Sequence, residues 1–229
     1  MKKTVISELL YSTRIIPGYV ILSIVVMAAG SCNTAKPKHL LKSNIPVLQD
    51  SLMMDSDGNK YSVKKLLDNN CWMTTNLKLN IPGSYCYDNA DDNCEQYGRL
   101  YTWKAAQNGC ALLGEGWRLP TNEEWQKMAK WYGGVRGDSD DDGKAAYQAL
   151  INGGNAAFNA VYGGSRDSAD GSYARVDAHG FYWTATESDV ANAWLYNFGK
   201  NGKILNRHRD GQKHMAISVR CIKDIGNKN

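Results

Sequence analysis

The chain has 229 residues, 43% hydrophobic and 22% charged, with 27 Lys and Arg against 23 Asp and Glu. Those values place it in the ordinary globular class and exclude a disordered chain. No Lys/Arg-rich block with interleaved aromatics occurs, so nucleic-acid binding has no support in the sequence.

The first segment is read as a targeting signal. Lys2, Lys3 and Arg14 flank a start that runs into the apolar stretch 19–29, too short to span a bilayer comfortably. It ends in Ala28, Ala29, Gly30 and Ser31, immediately before Cys32. Small residues before a cysteine resemble the bacterial lipobox, although Ala29 stands where leucine is usual. The resemblance implies cleavage after residue 31 and a diacylglycerol on Cys32, making the membrane a partner through the lipid anchor. An uncleaved anchor helix, with Cys32 a bystander, is the alternative. On either reading the remainder lies outside the cytoplasm, and the lipid-anchored reading places it at the outer membrane, facing the periplasm or the cell surface. Residues 32–50 contain two prolines and no clear periodicity, which suits a tether to a domain over 51–229.

Within that domain, MDSDGNKYSV carries an Asp57-Gly58 turn between short extended segments, which predicts a hairpin. CWMTTNLKL (71–79) alternates as a strand does. YGRLYTWKAAQNGC (97–110) has Leu100, Trp103, Ala105 and Ala106 at helical spacings and predicts an amphipathic helix. In GWRLPTNEEW, Pro120 ends the extended WRL, and Thr121 with Glu124 forms the capping-box pattern of a second helix. Trp125, Met128, Ala129 and Tyr132 supply its apolar face, and Gly133-Gly134 stops it. A short third helix is expected near 144–151. From Phe158 onward, glycines alternate with aromatic strand fragments. This order predicts an α+β domain with two main helices, small antiparallel sheets and a loop-rich second half.

Five cysteines follow Cys32. In an exported protein disulfides are the default, and Cys86 and Cys94 bracket a short polar loop that a bridge closes readily. Cys221 sits in the alternating AISVRCI, with Cys71 and Cys110 both plausible partners. The absence of a CxxC pattern or a Cys/His cluster argues against zinc.

The stretches DSDGNKYSV, CWMTTNL, CYDNADDNCEQYGRLYTW, GWRLPTNEEW, GGSR, FYWTATE and SVRCIKD together resemble the Fibrobacter succinogenes major paralogous domain, found largely in exported proteins and lipoproteins of Bacteroidetes and Fibrobacteres. The WRLPTxxEW corner also resembles the formylglycine-generating-enzyme branch of the C-type-lectin-like fold. The resemblance implies a C-type-lectin-like domain whose late loops and strands present a ligand face.

No compact catalytic motif accompanies this scaffold. GGSR (163–166) is not a nucleophile elbow, and His179, His208 and His214 read as surface-loop residues. Enzymes of the formylglycine-generating type use a late cysteine pair, whereas only Cys221 falls late here. The run Asp138 to Asp142 matches the start of a calcium loop, but Ala149 occupies the position that needs a bidentate Glu, which excludes an EF-hand and leaves an improvised calcium loop open. No cofactor and no metal are therefore assigned. The remaining candidates are polar and aromatic residues of the late strands: Glu187, Trp194, Tyr196, Asn206, Arg207 and His208, with Leu195 and Leu205 as apolar support. The expectation is a non-catalytic envelope lipoprotein that binds a glycan, a peptide or a surface protein. The alternatives are a formylglycine-generating-type or hydrolytic enzyme, or a structural pilus-tip or adhesin subunit.

Overall fold

A computed structural model describes residues 51–224; the signal, Cys32 and the tether lie outside the described residues. The chain opens with a hairpin of β1 (Ser51–Met54) and β2 (Lys60–Lys65). Asp55 builds its turn: Oδ1 accepts from the Asp57 and Asn59 amides at 2.9 Å each, and Oδ2 from the Tyr61 hydroxyl at 2.5 Å. Next come β3 (Cys71–Met73), β4 (Ser84–Tyr85), α1 (Asp91–Tyr97), β5 (Leu100–Tyr101), α2 (Trp103–Ala111), β6 (Trp117–Arg118), α3 (Asn122–Trp131) and α4 (Lys144–Leu150). The second half is built from β7 (Gly163–Arg166), β8 (Tyr173–Val176), β9 (His179–Glu187), β10 (Asn192–Gly199), β11 (Ile204–Gln212) and β12 (Ile222–Lys223).

Two five-stranded sheets result, in the orders β1-β2-β3-β12-β6 and β11-β10-β9-β7-β8, with β4 and β5 as a separate pair. The last strand thus lies between β3 and β6, antiparallel to both, and joins the two ends of the domain. Disulfides join Cys86 to Cys94 and Cys110 to Cys221, the second fastening α2 to the end of the chain; Cys71 keeps a free thiol.

This architecture corrects the expected fold class. Among the described residues strand outweighs helix, 34% to 21%, in two curled half-barrel sheets with four helices, which replaces the C-type-lectin-like α+β reading with two main helices. One missed helix is α1, read from its Asp and Asn content as a polar loop. Asp91 and Asp92 lie in its first turn, where carboxylates favour the helix N-terminus, and Gly98 closes it at φ +78°. The predicted helix over 97–110 begins only at Trp103, where the Thr102 hydroxyl accepts from the Ala105 amide; residues 100–101 are strand. The capping box of α3 forms as the pattern indicates, with Thr121 and Glu124 satisfying each other's amides.

The second sheet is packed on both sides, which decides the fate of its side chains. On one side Tyr182, Tyr196, Phe198 and Leu205 meet α3, α4, Trp72 and Phe158. Trp125 sits at the centre of this cluster, stacked on Tyr196 at 4.9 Å and edge-on to Trp72 at 5.2 Å. On the other side Phe181, Trp183 and Leu195 pack with α2 and the first sheet. Tyr196 is therefore core and not ligand face: it is fully buried and its hydroxyl donates to the Asn122 carbonyl at 3.2 Å. Tyr196→Ala should cost about 3–5 kcal/mol of unfolding free energy in a denaturant titration; an unchanged midpoint would contradict the core assignment.

Candidate functional site

Strand register sorts the remaining candidates. Tyr196 is level with Arg207 and Tyr182, so Arg207 belongs to the helix-covered side. Its guanidinium lies 5.0 Å from the Trp194 ring and 3.3 Å from Asp138. Trp194 is half-buried at an irregularity in the β10 register, and its carbonyl accepts from the Thr184 hydroxyl. Glu187 stands exposed at the end of β9, 3.4 Å from the Lys213 ammonium. The predicted set therefore does not form one surface: Trp194 and Arg207 pair on one side, Glu187 lies at a strand end, and Asn206 and His208 turn the other way.

Around Asn206 and His208 the register assembles a different group. Phe181, Asn197 and Asn206 form one row across β9, β10 and β11; His179, Gly199 and Ile204 form another; and His208 is level with Leu195. The His179 imidazole stacks on Phe181 at 5.5 Å with 6° between planes, and its Nδ1 is 3.1 Å from the Asn197 Oδ1. Gly199 lies beside that ring: a Cβ there would meet it at 3.7 Å, an ordinary van der Waals contact. Arg175 of β8 places its guanidinium 5.7 Å from the Phe181 ring. His179, Asn197, Asn206 and His208 are each half-buried and Arg175 is exposed, so this end of the sheet is open to solvent beyond the apolar rows of Trp183 and Leu195.

Burial lowers the His208 imidazole from its ordinary 6.5; Asp210 opposes the shift, and the positive charges of His179 and Arg175 reinforce it. The His208 Nε2 is buried with no hydrogen-bond partner among the described residues. The Oδ1 atoms of Asn197 and Asn206 are committed to His179 and to the Arg207 amide, leaving both Nδ2 groups uncommitted among the described residues. The patch thus presents one partly open imidazole backed by a buried phenyl ring, two amide donors and a cation.

His179, Phe181, Asn197 and Arg175 are the residues that sequence reasoning missed. His179 was read as a loop residue. Alternation places His179 and Phe181 on one face, but identifying the opposing Asn197 also requires the register of β10, which alternation within one strand does not supply. The acidic run is likewise resolved by partners. Asp138 pairs with Arg207 and Asp142 with Arg136, while Asp141 accepts from the amides of Gly143 and Ala145. Among the described residues no group of three or more His, Cys, Asp or Glu converges as a metal site.

No curated protein and no solved structure matches the chain. The sequence model described as the Fibrobacter succinogenes major domain matches residues 63–223, well over half of the length, and the chain therefore belongs to the Fibrobacter succinogenes major domain family.

Proposed function

We propose that the chain is an exported, lipid-anchored envelope protein whose domain recognises a glycan without catalysis, at the outer membrane. The anchoring part rests on the apolar run and small residues before Cys32. The recognition part rests on one observation, the half-buried His179 ring, backed by the buried Phe181 and flanked by the amides of Asn197 and Asn206 on the second sheet. The open side of the imidazole stacks on the apolar face of a sugar ring, and the uncommitted amide donors meet its hydroxyls. The polar partners of the two imidazoles are an amide and a carboxylate, Asn197 and Asp210, and not a hydroxyl or thiol nucleophile, which favours binding over acyl transfer.

A glycan array probed with the full-length protein in detergent should identify a ligand. His179→Ala and Asn197→Ala should then each weaken its binding by about 1–2 kcal/mol, with the melting temperature nearly unchanged. Full binding by both variants would overturn this site, and turnover of the bound glycan abolished by loss of one histidine would overturn the non-catalytic reading.

The His208 environment also predicts a pH effect on stability. Its folded pKa lies below the ordinary 6.5, so just below that pH the unfolded chain binds more protons than the folded one, and stability falls as pH drops. Unfolding free energies at pH 7.5 and 5.0 should show a larger acid loss in the native protein than in His208→Gln; identical losses would contradict the buried neutral imidazole.

A further inference from the structure

A cleft of about 310 Å³ lies between β2, the segment after β3, the end of α1 and the loop before β7. Its volume is that of a small-molecule site. Arg220 contributes to its wall and is 1% exposed. The guanidinium donates from Nε to the Asn76 Oδ1 at 2.6 Å, from Nη1 to the carbonyls of Met73 and Phe158 at 3.3 and 2.6 Å, and from Nη2 to the Asn159 carbonyl at 2.7 Å. All four acceptors are neutral, as is the Tyr182 hydroxyl that also faces the guanidinium. No carboxylate pairs with Arg220 among the described residues.

The rim adds charge of the same sign. Lys78 is neutralised by Glu95 at 2.6 Å, whereas the Lys60 ammonium has no partner among the described residues. The cleft therefore carries two uncompensated cations, one of them buried where water screens it little. Thr74, Thr75, Asn76, Asn152 and Gln96 add hydroxyl and amide groups to the lining, which suits hydroxyl groups of a ligand, and Val161 and Tyr97 add apolar surface.

We infer that this cleft binds a polyhydroxylated carboxylate, of the size and chemistry of a hexuronic acid, with the carboxylate drawn to Lys60 and Arg220. The inference is independent of the sheet-face reading, since no residue is shared. Isothermal titration calorimetry of the full-length protein in detergent with sodium glucuronate, glucose and inorganic phosphate tests it. Glucuronate should bind saturably with a dissociation constant under about 1 mM and glucose far more weakly. Lys60→Ala should weaken glucuronate by about tenfold or more, as loss of a charged hydrogen-bond donor requires, and His179→Ala should leave it unchanged. Lys60 is exposed on β2, so its truncation leaves the fold intact. Equal affinity for glucose, preference for phosphate, absence of saturable binding, or indifference to Lys60→Ala would each overturn the assignment.

Discussion

The fold hangs on a buried cation. Arg220 joins the end of β3 through Met73, the following turn through Asn76, and the segment before β7 through Phe158 and Asn159. Its guanidinium also lies 4.7 Å from the Phe158 ring and 5.7 Å from that of Tyr182, so two aromatic faces share its charge. Burial lowers the pKa of the group, but arginine starts high enough to stay charged. The result is a hub whose acceptors are carbonyls that strand pairing leaves unused. The Asn76 side chain and the carbonyls of Met73 and Phe158 would lose a buried partner without it.

That constraint explains how the two sheets are held. Arg220 and Cys221 are adjacent, so one short segment both donates to the loops and bridges to α2. The next residues pair with β3 and β6, and the preceding Ser218 amide reaches the Phe181 carbonyl of β9. The end of the chain is thus fastened to both sheets within a few residues. With both sides of β9 and β10 buried near their middle, the half-buried His179, Asn197 and Asn206 beyond that middle lie outside the main core clusters.

Local chemistry was legible in the sequence wherever one segment carries the whole argument. The Asp57-Gly58 hairpin and the Thr121/Glu124 capping box are short-range arrangements, and residue type states them directly. The first helix was not legible, because its stability comes from Asp residues at its start, Gly98 at its end and two buried side chains, Cys94 and Tyr97, too few for a periodic signal. The fold class failed for a related reason: short strands such as β5, β6 and β12 have two residues each and exist only through their partners. The late strands were recognised as the place for a site, yet their sides were not. Tyr196 looks like a recognition residue and is core because Trp125, far away in sequence, stacks on it.

Arg220 also gives the account its most direct test. The unfolding free energy of Arg220→Met, which keeps most of the apolar stem and removes every donor, should fall by at least about 3 kcal/mol, because the carbonyls of Met73, Phe158 and Asn159 and the Asn76 side chain lose a partner together. A loss under about 1 kcal/mol would mean that these segments hold their places without the guanidinium, and would contradict the hub.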